Sequence, residues 1–314
     1  MYPPTAVALG DWHGDTDFAI AALTRADALV PKDVPFLHVG DFGFFPQPPA
    51  RGSHHLSMSQ LFQPGLSLSE HHRLITRIDP ARLTDFLPSV DRHLRALDRV
   101  LYVILGNHED YWSMSSYFGF GGFIEDGHRH PDTSSRLLTW GTDASDLATG
   151  DTPVHRDEDG FLCSPLLTNI RVVPRTHVWS WNGVTLGSLG GACSIDRWVR
   201  MPGWEWWPEE EPTLDQANTL ADARLDVLVT HDGPLPAVAS LYAGRSPGLP
   251  VPVQQWADHS SRAVEHARDL TSPDLLVHGH HHRRYDYNLG TTLVTGLAAN
   301  VSPGHIDASM LVID

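Results

Sequence analysis

The sequence predicts an α/β fold, and three observations carry that expectation. Short apolar runs alternate along the chain with longer segments whose apolar residues recur at helical spacing. Several of these runs stop at a glycine or threonine followed directly by Asp, Asn or His, as when strands deliver polar side chains at their carboxyl ends, where α/β sheets bind ligands. At 314 residues, 41% hydrophobic and 19% charged, the chain can bury a sizeable core as one large domain or two small ones.

Residues 5–10 read as a short buried strand, after which Thr16 or Asp17 can cap a helix reaching about Leu29. Residues 34–40 form a second strand. Residues 46–78, rich in Pro, Ser, Gly, Gln and His with weak periodicity, read as an irregular insertion. Residues 80–97 read as a helix, because Leu83, Phe86, Leu87, Val90, Leu94 and Leu97 fall on one face. Residues 100–105 are the third strand, and 119–165, crowded with Gly, Asp, Ser and Thr, form a second insertion. Farther on, Asn182-Gly183 sits between strand-like runs within 177–189, the signal of a hairpin with a type I′ turn. Helices are expected over 213–224 and 258–270, each ahead of a strand, at 226–230 and 274–278. Closing strands are expected at 285–288, 291–295 and 309–313, with Gly290 turning between the first two. No internal repeat or long linker divides the chain, so 1–314 reads as a single domain carrying two insertions.

The formal net charge of −16 argues against a protein that tracks long nucleic acid, which would want a basic face. A small anionic substrate is compatible with it, because a metal supplies positive charge locally. No stretch approaches the roughly 20 apolar residues of a membrane span, and residues 1–4 begin neither a basic n-region nor an apolar h-region. A soluble, cytoplasmic protein is expected. Cys163 and Cys193 are too few for a disulfide framework and lack metal-ligand spacing, so both read as reduced thiols. Histidine is the unusual component: there are 20, three of them consecutive at positions 280 to 282.

Five strand ends carry the polar groups. The first is Gly10-Asp11-Trp12-His13, the second Gly40-Asp41, and the third Gly106-Asn107-His108-Glu109. Thr230-His231-Asp232 and Gly279-His280-His281-His282 follow. In this order they resemble the calcineurin-like metallophosphoesterase family, whose pattern is D-x-H, G-D, G-N-H-[DE], H and G-H-x-H, and the resemblance spans residues 6–282.

That resemblance implies two facing mixed β-sheets flanked by helices, a four-layer αββα fold, with two divalent transition-metal ions at the strand ends. It assigns Asp11, His13 and His282 to one ion, Asn107, His231 and His280 to the other, and Asp41 to both. His281 then fills the variable position, and in an extended segment it would face away from its two neighbours. Imidazole and carboxylate suit Mn, Fe, Zn, Ni or Co. Two such ions, two carboxylates and a bridging hydroxide leave a formal charge of about +1, enough to draw a phosphoanion into an acidic chain. The ions would activate a water for in-line attack on phosphorus. His108, matched to the family histidine that protonates the leaving oxygen or stabilises charge on the phosphoryl group, is the candidate catalytic residue, with a structural role as the alternative. His38 and His278, inside their strands, read as structural.

Two further features bear on substrate. Protein serine/threonine phosphatases extend the second motif to G-D-x-x-D-R-G and usually place Arg before G-N-H-E, whereas this chain has Gly40-Asp41-Phe42-Gly43-Phe44-Phe45 and Leu105. Hydrolysis of a small phosphodiester or phosphomonoester, nucleotide-derived ones included, is therefore expected ahead of protein-phosphatase or nuclease activity, and ahead of a catalytically inactive metal-containing scaffold. The stretch from Gly190 to Arg197, followed by Trp204-Glu205-Trp206-Trp207-Pro208-Glu209-Glu210, resembles bacterial and phage members of the family. Arg197 or Arg200 is a candidate phosphate contact there, weighed against a salt bridge. Trp198, Trp204, Trp206 and Trp207 read first as packing, with an aromatic rim around Trp206 for a nucleotide base as the functional alternative.

Overall fold

In β1 (Ala6–Leu9) every side chain is buried, and they alternate between two cores. Val7 and Leu9 pack under helices, while Ala6 and Ala8 face a second sheet. The computed structural model in which this is seen describes residues 4–44, 86–109, 111, 155–164, 167–197, 206–243, 251–300 and 306–314.

The first sheet grows from β1 in parallel through β2 (Phe36–His38), β3 (Leu101–Val103) and β6 (Ile170–Val172), in the register Val7–Phe36–Leu101–Ile170. Antiparallel β13 (Met310–Ile313) closes one edge, and the short β5 (Leu162–Cys163) and β4 (His155–Arg156) extend the other. In the second sheet β8 (Val184–Leu189), β9 (Val227–Thr230), β10 (Leu275–His278) and β12 (Thr292–Gly296) run parallel. Antiparallel β7 (Val178–Trp181) and β11 (Tyr285–Leu289) form its edges. Both sheets are mixed, with parallel centres buried on both faces.

Helices cover the two outer faces. α1 (Thr16–Asp27) and α2 (Phe86–Leu97) bury Ala19, Leu23, Val90 and Leu94 against the first sheet. α3 (Leu214–Asn218), α4 (Leu235–Leu241) and α5 (Val251–Thr271) bury Ala217, Ala237, Val264 and Ala267 against Leu228, Leu276 and Val294 of the second. Between the sheets lie Ala6, Ala8, Leu37, Val39, Val227, Val229 and Val277. The order of layers is helix, sheet, sheet, helix, as expected. No helix among the described residues is long and apolar enough to cross a membrane.

Several local expectations need correction. The cap of α1 is Asp15, whose side chain accepts from the Phe18 N–H, so Thr16 and Asp17 are already helical. α3 opens with the Thr213–Gln216 capping box but stops at Asn218, where the Thr219 hydroxyl bonds the Gln216 carbonyl instead of letting the helix run on to 224. α5 starts seven residues before the expected 258, with Pro252 in its first turn, where the missing N–H costs nothing. α4 has the same disguise, with Pro234 and Pro236 at its start. β5 and β4, two residues each, are too short to show periodicity and fall inside the stretch read as the second insertion; β6, no shorter than β2 or β3, is not among the expected strands. Residues 46–78 and 119–154 lie outside the described residues. The Asn182-Gly183 turn is as expected, with φ of 51° and 82° in the type I′ sense.

Candidate metal centre

The carboxyl ends of β1, β2 and β3 in one sheet meet those of β9 and β10 in the other. There Asp11, His13, Asp41 and His282 each present one ligand atom within 4.8 Å of the others, as do Asp41, His231 and His280. Asp41 is common to both groups. His13 Nε2 is 3.0 Å from His282 Nε2, and Asp11 Oδ2 is 3.3 Å from the same His282 nitrogen. In the second group His231 Nε2 lies 3.1 Å from Asp41 Oδ1 and 3.1 Å from Asn107 Oδ1. All seven residues expected at the site are therefore brought together.

The backbone that achieves this is unusual. His13, Asp41, His280 and His282 have φ of 49°, 50°, 62° and 54°, in the left-handed region that non-glycine residues seldom occupy. This corrects the expected extended geometry at 280–282: the segment is bent, and His280 and His282 reach different ligand groups because of the bend rather than by strand alternation. Gly106 is forced by close approach, since a Cβ there would overlap the backbone nitrogen and carboxylate of Asp41.

The chemistry of the donors fits divalent cations. Burial holds the imidazoles of His13 and His280 at pKa values of about 4 and about 3, neutral and able to offer a lone pair. Burial alone would lift the Asp41 carboxyl, but His231, His108 and His13 around it hold it well below the usual range. The same burial opposes charge on His231, yet Asp41 raises that imidazole to about 10. His231 Nδ1–H donates to the Val39 carbonyl at 2.9 Å, which leaves Nε2 aimed at the cluster. Asp11 Oδ1 and His13 Nδ1 are buried without a hydrogen-bond partner among the described residues, an arrangement a cation would relieve.

His108 stands over Asp41, outside both groups. Its backbone N–H donates to Asp41 Oδ1 at 2.9 Å, its Nε2 is 4.0 Å from Asp41 Oδ2, and its ring lies edge-on to His13. His38 and His278 are buried in their strands: His38 Nδ1 accepts from the Gly40 N–H, and His278 bonds the Tyr285 hydroxyl at 2.6 Å. Arg197 pairs with Glu211, the salt bridge that is one of its two expected roles, and stacks on Trp256 at 4.0 Å and on Trp206 at 5.6 Å. Trp207 is buried in the first sheet's outer core. Arg200, Trp198 and Trp204 lie outside the described residues.

Sequence reasoning gave no role to three residues that support the cluster. Glu109, fully buried, accepts the N–H groups of Phe42, Gly43 and Phe44 at 2.8 to 3.1 Å and so braces the turn that carries Asp41; burial lifts its carboxyl to about 7. Asp232 accepts from His281 Nε2 at 3.0 Å and from the Ser261 hydroxyl at 3.1 Å, which pins the bend between His280 and His282. Ser194 accepts from the Asn107 amide. Glu109 fills the acidic position of the G-N-H-[DE] motif, and Asp232 directly follows the motif residue His231; neither signal states what the side chain braces.

A four-layer α/β protein with a buried, shared-carboxylate His/Asp cluster at its strand ends is built as a metal-dependent hydrolase. A family model for calcineurin-like phosphoesterases matches residues 4–284, and the chain belongs to that family of metal-dependent phosphoric ester hydrolases. Among curated proteins none matches. Among solved structures, one is 15% identical with a TM-score of 0.46 over 95% of this chain and 91% of its own. A phosphopantetheinyl hydrolase from Mycobacterium tuberculosis is 16% identical, TM-score 0.40, over 95% and 90%. A Staphylococcus aureus protein assigned as a 5′-nucleotidase, in complex with α-ketoglutarate, is 11% identical, TM-score 0.39, over 90% of this chain and 42% of that one. At these scores none of the three bears on substrate.

Proposed function

We propose that this chain hydrolyses a small phosphoester, a phosphomonoester or phosphodiester, at the His/Asp cluster. The observation that carries this is Asp41, one buried carboxylate common to two ligand groups, with His108 directly above it. In this reading Asp11, His13 and His282 hold one divalent ion, Asn107, His231 and His280 the other, and Asp41 touches both. Two such ions, when bound, supply the positive charge that receives phosphoryl oxygens and lower the pKa of a water. The protein's own part is to keep His13 and His280 neutral and to hold His108 where it can protonate a departing oxygen.

The loop after Asp41 favours a small substrate over a phosphoprotein. Phe42 and Phe44 are fully buried in the core and their N–H groups are tied to Glu109, so residues 42–44, the described part of this loop, offer no guanidinium to a protein-bound phosphate. Trp206 is the group we assign to the base of a nucleotide substrate, with Arg197, which lies over its ring, as the candidate phosphate contact. The test is a panel of alkyl, aryl and nucleotide mono- and diesters assayed with Mn, Fe, Zn, Ni and Co. Turnover of small esters, with Trp206→Ala lowering kcat/KM for a nucleotide ester by about tenfold and for an alkyl ester by less, supports the reading. Intact metal binding with no turnover of any ester would make the chain an inactive scaffold instead.

A further inference from the structure

The stretch from Gly190 to Arg197 and the Trp206–Glu210 segment lie next to one another, and their contacts lead to the metal centre. β8 ends at Leu189, and the Gly191 N–H donates to the Leu105 carbonyl at 2.7 Å, tying the end of the second sheet to the residue before Gly106-Asn107. Gly191, with φ of 95°, passes so close to the short helical turn Pro208–Glu210 that a Cβ there would overlap the Glu210 carbonyl oxygen. The buried Glu210 carboxylate then accepts two backbone N–H groups, Ser194 at 2.9 Å and Trp207 at 3.2 Å. Ser194, itself 1% exposed, accepts from Asn107 Nδ2 at 3.0 Å, and Asn107 Oδ1 faces His231 Nε2 at 3.1 Å.

We propose that Ser194 is a positioning residue for Asn107, set in place by Glu210, and that it decides which end of the Asn107 amide faces the metal position. This rests on the reading of Asn107 as a ligand. A primary amide is a ligand only through its oxygen; turned by half a revolution it presents two N–H donors, which a cation repels. With Oδ1 toward the ion, Nδ2 points into protein and needs an acceptor, and the Ser194 hydroxyl is that acceptor. Without it the amide satisfies itself best by turning Nδ2 toward His231 and Asp41, a state that competes with the cation. The effect is confined to the metal-bound state, because the metal-free protein can adopt the turned amide at little cost.

The experiment is Mn(II) titration of the full-length protein, followed by calorimetry and by the paramagnetic signature of paired against single Mn(II), for wild type, Ser194→Ala, Asn107→Ala and the double variant. Ser194→Ala keeps the backbone N–H that Glu210 holds. It is expected to weaken one of the two Mn(II) sites by roughly five- to a hundredfold, the weight of one buried donor left without an acceptor, with the other site and the melting temperature of the metal-free protein nearly unchanged. Because Ser194 acts through Asn107, the two losses should not add in the double variant. Wild-type affinity at both sites in Ser194→Ala, or losses that add, overturns the proposal while leaving the ligand set intact. Two Mn(II) ions held at wild-type affinity by Asn107→Ala instead overturns the ligand assignment, and the role of Ser194 with it.

Discussion

Asp41 has its backbone in the left-handed region and its two carboxylate oxygens directed to different neighbours, His231 on one side and His13 and His108 on the other. Asp41→Asn is therefore expected to lose more bound metal and more activity than His13→Ala, which touches one position; metal analysis after gel filtration checks this, and two retained ions with normal turnover would contradict it. His108 lies beside the cluster without belonging to it, so His108→Asn should keep both ions. It should lower kcat by roughly 10²- to 10⁴-fold for poor leaving groups and by less for activated ones, read from paired assays on alkyl and nitrophenyl esters. At this scale the residues gathered in the cluster were legible in the sequence as Asp, Asn and His directly after apolar runs, and the family pattern picked out which of them to expect together. Their supports were not. Glu109 reaches back to residues 42–44 and Ser194 meets Asn107 from the other sheet, and no local pattern records such a partner.

Among the elements, the loop between α1 and β2 is held by a residue from far along the chain. Arg99, 3% exposed at the end of α2, donates to the carbonyls of Val30, Pro31 and Val34 and to Asp27 at 2.7 Å, and covers the Phe36 ring. Arg99→Ala should destabilise the fold by about 3 kcal/mol, measured by urea denaturation of the metal-free protein, since several buried acceptors lose one donor. The Asp27 carboxyl is held below its usual range, first by Lys32 and, against partial burial, also by Arg99. A depressed carboxyl adds stability that is present above its unfolded pKa and fades as pH falls through the folded one, so the cost of Arg99→Ala should shrink in acid. The central strands were legible from their apolar runs to within a residue or two at each end. Helices α4 and α5 were obscured at their starts by proline, which reads as a loop signal although the first helical turn accepts it, and β4 and β5 by shortness.

Over the whole molecule, four of the candidate ligands come from the first sheet and three from the second, so metal binding is expected to reinforce the packing of the two sheets. Chelation should lower the melting temperature, and at a free ion concentration a hundred times Kd each ion should add about 2.7 kcal/mol, seen as a metal-dependent rise in Tm. Hydrogen exchange should show protection at the carboxyl ends of β1 and β10 together; protection of one sheet alone would contradict a shared site. The four-layer order was legible only through the family pattern, because alternation in a single strand states that it has two buried faces and not what covers each. The small residues between the sheets have a bearing on the centre that no ligand reveals. Ala6 and Ala8 are fully buried where the sheets press together, one strand length from Asp11. They share that layer with Leu37, Val39, Val227, Val229 and Val277, and, like thin shims under a bearing, they add little thickness beneath the strand that ends at Asp11. Ala8→Val adds two methyl groups to that layer and is expected to weaken Mn(II) binding although Ala8 is not a candidate ligand; wild-type affinity in a calorimetric titration would contradict this.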